Sequence, residues 1–195
     1  MKNTMAMVLA AAVGTGAWAK GVSGPVVTVC MDQIAANTVS YMAQGEASEI
    51  FSEVGVNIAW RSGRACQAGD VIHIHLSTQT PETLKPGAAA YALPYQGIYI
   101  EVFYDRITET VCARTLPHLL AHVLVHEITH ILQGVARHSE TGIMKAHWTA
   151  DEYRQMGCRH LPFTPEDVEL IQMGLQSRAE RLQAQSVAPS ASQSR

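Results

Sequence analysis

The apolar positions of this chain recur at two periods, one of two residues and one between three and four, and their order sets an architecture. "VVTVC" (26–30) is a short β-branched run that predicts a first strand. Val39, Met42, Ala43, Ile50, Phe51 and Val54 then recur at helical steps, with Gly55 as the stop. "VNIAW" (56–60) alternates Val56, Ile58 and Trp60 on one face. "VIHIHL" (71–76) sets Ile72, Ile74 and Leu76 on one side, with His73 and His75 on the other. "AAAYALPYQG" fits either a short strand or a loop, and Pro94 favours a sheet edge. "IYIEVFYD" (98–105) is the clearest strand.

A long helical run follows, with Thr115 placed to cap it and Pro117 in its first turn. After Met144 the chain reads as loop until "TPEDVELIQMGL", where Thr164 caps a last helix, Pro165 takes the first position and acids fill the first turn. The first strand–helix–strand segment predicts a parallel crossover. The whole pattern predicts an α+β fold: a mixed, mostly parallel sheet packed on two long helices, with a C-terminal helix.

Composition bounds this picture. The chain has 195 residues, 47% hydrophobic and 16% charged, which suits one globular domain with its own core. A formal charge of −3 argues against a nucleic-acid binder, which would carry a basic stripe. "MKNTMAMVLAAAVGTGAWAKG" opens with Lys2, runs apolar from Met5 to Val13, and offers Ala17 and Ala19 at the small-residue positions of a cleavage site. Residues 1–19 therefore read as a secretory signal peptide, too short for a membrane span. A single domain over 20–177 is expected to follow, secreted or periplasmic, with no membrane partner after cleavage. From Gln176 the composition turns to Gln, Ser, Ala and Arg, and 178–195 is expected to be a disordered tail. Cys30, Cys66, Cys112 and Cys158 contain no C-x-x-C pair, so an oxidising compartment favours two disulfides. Loop length favours Cys30–Cys66 and Cys112–Cys158.

The chemistry lies in "HVLVHEITHILQGVARHSETGIM" (122–144). On a helical projection Leu116, Leu119, Leu120, Val123, Leu124, Ile128, Ile131 and Leu132 cover one wide arc, so this helix is expected to be largely buried. Glu127 falls near the middle of that arc, where a bare carboxylate costs several kcal/mol unless partnered or neutralised. His126 and His130 stand one turn apart at the border of the arc, within reach of one ion. This is H-E-x-x-H on a helix: two imidazoles for Zn²⁺ and a glutamate that acts as general base on a zinc-bound water. His122 and His126 repeat the spacing, but Val123 leaves that pair without a base. His118 and His122 are expected on the side opposite the apolar arc, solvated or partly packed. Catalytic zinc usually takes a third protein ligand. Gly134 allows the chain to turn, and His138 then returns eight residues after His130, with Glu140, His147 and Asp151 as competitors. Tyr153 and Tyr95 are candidates for a second electrophile.

"HEITHILQGVARHSETGIM" resembles the metzincin signature, H-E-x-x-H-x-x-G-x-x-H followed by a methionine turn, with Gly134, His138, Ser139 and Met144 as counterparts. It departs by two residues: Gly134 is four after His130 instead of three, and His138 eight instead of six. The longer spacing and the G-I-M-x-x-x-W ending, Gly142 to Trp148, are similar to a group of uncharacterised bacterial secreted metallopeptidase-like proteins. The resemblance implies a zincin-like fold, a Zn²⁺ held by His126, His130 and His138, Glu127 as the catalytic base, and Met144 as a floor beneath the metal. The activity it implies is hydrolysis of peptide bonds in a peptide or protein substrate, docked as a strand along the sheet edge near 88–91. A non-catalytic zinc-binding or protein-interaction module on the same fold is the alternative. A zinc buffer using nine histidines ranks last, because they form no tract.

Overall fold

A computed structural model describes residues 24–32, 38–67, 70–81, 89–92 and 98–187. The segment 1–19 expected to be a signal peptide, Tyr95 and Ala88 lie outside the described residues. Five strands form one sheet in the order β2-β1-β3-β5-β4. They are β1 (Val26–Met31), β2 (Asn57–Arg61), β3 (Ile72–Ser77), β4 (Ala90–Ala92) and β5 (Tyr99–Phe103). All neighbours run parallel except β4, which pairs antiparallel to β5 at the edge, with Tyr91 opposite Glu101. The α+β, mostly parallel arrangement expected from the periodicity is the one observed.

Alternation explains the core. Val27, Val29 and Met31 of β1, Ile72, Ile74 and Leu76 of β3, and Ile100 and Val102 of β5 are buried on one face. Two helices, α1 (Thr38–Glu53) and α3 (Leu116–Gln133), share that core through Ala43, Ala47, Ile50, Phe51, Leu120, Leu124 and Ile128. Trp60 reaches from β2 to α1 and donates from Nε1 to the hydroxyl of Ser48 at 2.8 Å.

Several local expectations need correction. The strand expected over 98–105 stops at Phe103, and Tyr104–Thr110 forms a short helix, α2. Asp105 turns the chain there by accepting from the Thr80 N–H at 2.8 Å and the Thr80 hydroxyl at 2.6 Å. The segment after Met144 holds a further helix, α4 (Ala150–Met156), closed by a reciprocal capping box between Thr149 and Glu152. Thr115 makes no side-chain cap to α3, although the expected proline is in the first turn. Thr164 does cap α5 (Pro165–Val187): its hydroxyl accepts the Asp167 N–H at 3.2 Å and donates to the Asp167 carboxylate at 2.7 Å. That helix runs through Val187, past the composition change at Gln176.

Cys30 and Cys66 form a disulfide that ties β1 to the short 3-10 turn Gly63–Gln67. Cys112 and Cys158 are free, exposed thiols, against expectation. Cys112 sits between α2 and α3 with its sulfur 3.6 Å from the Thr115 hydroxyl, while α4 delivers Cys158 to a groove beside Met42 and His118. Loop length favoured their pairing, but the two unforeseen short helices decide where each thiol goes. Among the described residues no helix is long and apolar enough to cross a membrane.

Candidate metal and catalytic site

Helix α3 runs through the core with fifteen of its residues buried, and the site grows from its last two turns. His126, Glu127 and His130 are 7%, 7% and 6% exposed. Gly134 ends the helix in the left-handed region at φ 68°, and its N–H bonds the His130 carbonyl at 3.0 Å. The chain reverses there and carries His138 back over the helix. The imidazole rings of His126, His130 and His138 lie 4.7, 5.2 and 5.0 Å apart, centroid to centroid. One ligand-type atom from each lies within 4.8 Å of the other two.

Hydrogen bonds settle the tautomers of the first two rings. Nδ1 of His126 is 2.9 Å from the carbonyl oxygen of Ile143, and Nδ1 of His130 is 3.2 Å from that of Val135. A carbonyl only accepts, so each Nδ1 carries the proton and each Nε2 is left as a lone pair. The two Nε2 atoms are nevertheless 3.1 Å apart. Two acceptors at that distance repel unless a positive centre sits between or beside them. Burial first, and the neighbouring imidazoles next, push His126 down to about 3, and burial pushes His130 down to about 4. A proton is therefore a poor candidate for that centre near neutrality. Three nitrogen donors, two with their outer nitrogens anchored on carbonyls, suit a borderline-soft divalent ion such as Zn²⁺.

Glu127 faces a cavity of about 220 Å³ that also touches His126, His138, His147, Tyr153 and, on β4, Ala89 and Ala90. Burial pushes its carboxyl up to about 8, and a hydrogen bond from the Ala92 N–H opposes that rise. The segment expected as a methionine turn lies beside these rings, through the bond from His126 to the Ile143 carbonyl. Met144 is fully buried, and its carbonyl accepts the Ser139 N–H at 2.8 Å, which joins this turn to the loop bearing His138. Gly142 is essential to the approach: φ is 76°, and a Cβ there would lie 2.2 Å from the Pro162 carbonyl oxygen. Trp148 stands edge-on to His126 at 5.6 Å and donates to the Gly142 carbonyl at 3.3 Å.

Of the competing third groups, His147 lines the cavity, Glu140 is exposed and Asp151 pairs with Arg154. Among the described residues, no other set of three His, Cys, Asp or Glu side chains converges. Tyr153 lines the cavity as well. His122 differs from expectation. It is fully buried, and residues 157–163 cover the side of α3 that the apolar arc leaves open. His118 is partly exposed and bonds to Glu46 at 2.7 Å. Trp148, expected only as the end of the G-I-M-x-x-x-W run, also shapes the region, and so does Asp167, which the sequence does not single out and whose side chain is fully buried. The H-S pair at 138–139 and the acids of the last helix were visible signals, but nothing in them indicated contact between the two segments.

No family model matches the chain, and no curated protein matches it. Among solved structures its fold is similar to archaemetzincin from Methanopyrus kandleri. That match covers 82% of this chain and 99% of the other, with a TM-score of 0.50 and 15% sequence identity. At that identity the likeness shows the fold: a zincin-like α+β domain whose described part holds three converging histidines.

Proposed function

We propose that this protein is a secreted zinc-dependent metallopeptidase. One observation carries the reading: two lone-pair nitrogens 3.1 Å apart, joined by a third imidazole, beside a buried carboxyl group. His126, His130 and His138 would hold the metal, and Met144 would lie beneath it. When bound, zinc supplies Lewis-acid polarisation of a scissile carbonyl and makes a water acidic enough to attack near neutral pH. A cation held at the triad would favour the ionised form of Glu127, which takes the proton from the attacking water and passes it to the leaving amine. The Ala92 N–H orients the Glu127 carboxyl, and the apolar walls at Val123 and Trp148 limit the water around it.

Strand β4 supports a peptide substrate. The Ala89 carbonyl accepts from Phe103 at 2.9 Å, so by antiparallel alternation the backbone groups of Ala90 and Ala92 point away from β5. Ala92 spends its N–H on Glu127, and Ala90 offers its N–H and C=O to an extended chain. The Cys30–Cys66 disulfide and the leader-like start support export.

Glu127→Ala tests the reading. It is expected to keep one zinc per chain and to lose peptide hydrolysis by a factor of about 100 or more. His130→Ala is expected to lose the zinc. Unchanged turnover in Glu127→Ala, or full zinc retention in His130→Ala, would remove it.

A further inference from the structure

Asp167 is the third residue of α5, and its carboxylate is fully buried. One oxygen, Oδ2, closes the start of that helix on the Thr164 N–H at 2.9 Å and the Thr164 hydroxyl at 2.7 Å. The other, Oδ1, leaves the helix altogether. It accepts from the Ser139 hydroxyl at 2.6 Å and from the Arg137 guanidinium at 2.9 Å. Those two residues are the immediate neighbours of His138, one on each side. Arg137 also donates to the Ser139 hydroxyl at 3.3 Å and pairs with Glu166, so the three side chains and Asp167 form one network. The Asp167 carbonyl in turn accepts from Gln133, the last residue of α3, at 3.2 Å.

Of the three imidazoles, His138 stands on a loop, is exposed, and among the described residues shows no anchoring bond like those from His126 and His130 to backbone carbonyls. Something else must hold its backbone. A cap needs only one carboxylate oxygen, yet this buried carboxylate uses its second on both flanks of His138.

We infer that Asp167 is a positioning residue for the third metal ligand, so that docking of the C-terminal helix and affinity for the metal are one coupled equilibrium. The inference rests on the metal reading given above. Its consequence is reciprocal: metal bound at the triad tightens the start of α5, and loosening the start of α5 weakens the metal.

The test uses the full-length protein and Zn²⁺ alone, titrated against a competing chelator. Wild type is expected to bind one Zn²⁺. Ser139→Ala and Asp167→Asn are each expected to bind one Zn²⁺ with affinity lowered about 10- to 100-fold, the usual range for groups that orient a ligand. Ser139→Ala leaves the helix cap intact and covers the case in which Asp167→Asn folds poorly. Thr164→Ala weakens the cap without touching the loop, and is expected to lower Tm while keeping zinc affinity within about twofold. Hydrogen exchange gives a second readout: Zn²⁺ should slow the amides of 166–170 in wild type and lose that effect in Ser139→Ala. Wild-type affinity in both Ser139→Ala and Asp167→Asn, with only Tm reduced, would make Asp167 a helix cap and overturn the inference alone. A wild-type protein that binds no Zn²⁺ would overturn it together with the metal reading.

Discussion

Nε2 of His122 accepts the backbone N–H of Leu161 at 3.1 Å, across 39 residues of sequence. Its Nδ1 donates to the His118 carbonyl at 2.7 Å, so both ring nitrogens are used and the ring is neutral. A histidine one turn before the proposed ligand pair is thus a strut between α3 and the segment leading to α5. Its role explains why it does not compete for a metal.

Acid is expected to weaken that strut. Burial pushes His122 down to about 4 from its ordinary 6.5, and the neighbouring His160 and His118 act in the same direction. Glu46 lies 3.9 Å away on the other side. A folded pKa below the unfolded one gives a contribution fully present above pH 6.5 and lost as pH falls toward 4. About 2–3 kcal/mol is involved. Urea unfolding of wild type and His122→Gln at pH 7.5 and 4.5 checks this: the loss on acidification should be smaller in the variant by about 2 kcal/mol. Equal losses would place the acid sensitivity elsewhere.

The four cysteines should separate into two classes. The Cys30–Cys66 bond closes a loop of 36 residues, so replacing both with alanine should cost about 3–4 kcal/mol. Cys112→Ser and Cys158→Ser should each stay within about 0.5 kcal/mol of wild type, as exposed substitutions do. Native protein should show two thiols reactive toward a thiol reagent, and a count of zero would mean that Cys112 and Cys158 are paired.

Two helical glycines should respond in opposite directions to alanine. At Gly45 on α1 a Cβ meets nothing, so Gly45→Ala should raise stability by about 0.5–1 kcal/mol. At Gly174 on α5 a Cβ would lie 1.8 Å from the Leu132 carbonyl oxygen, backbone that cannot step aside. Gly174→Ala should therefore lose about 1–3 kcal/mol, or more if α5 is displaced. Denaturant melts of the two variants read the sign directly.

Edge strand β4 offers a test of substrate docking. The Ala90 N–H points away from β5, and proline is tolerated where an edge N–H faces outward. Ala90→Pro should leave stability nearly unchanged. On a peptide that Glu127→Ala fails to cleave, it should raise KM by about tenfold, the worth of one backbone hydrogen bond. An unchanged KM would move the docking site off this strand.

Much of the fold was legible from period alone. Strands whose buried faces alternate, Ile72, Ile74, Leu76 and Ile100, Val102, announce themselves because one face meets helices. Glu127 was legible for a related reason, since a carboxylate inside an apolar arc needs an explanation. What stayed hidden depends on contacts between distant segments. The sequence leaves His122 solvated or partly packed because its cover comes from 157–163. The two short helices, α2 and α4, span seven residues each, too few for periodicity to resolve, although Thr149 and Glu152 carried a capping signal. Loop length favours pairing Cys112 with Cys158, but it ignores the direction in which each side chain leaves its element.

The far end of α5 has its own anchorage. Arg178 donates from Nε to the Asp70 carboxylate at 2.7 Å and from its guanidinium to the Asp70 carbonyl at 2.9 Å. Asp70 stands just ahead of β3, four residues beyond Cys66. The last helix therefore works as a brace, fastened beside the loop that bears His138 at one end and beside the disulfide at the other. A chain shortened to residue 177, just past the composition change at Gln176, would lose the second fastening by a single residue. It would leave the histidine loop supported from one side only.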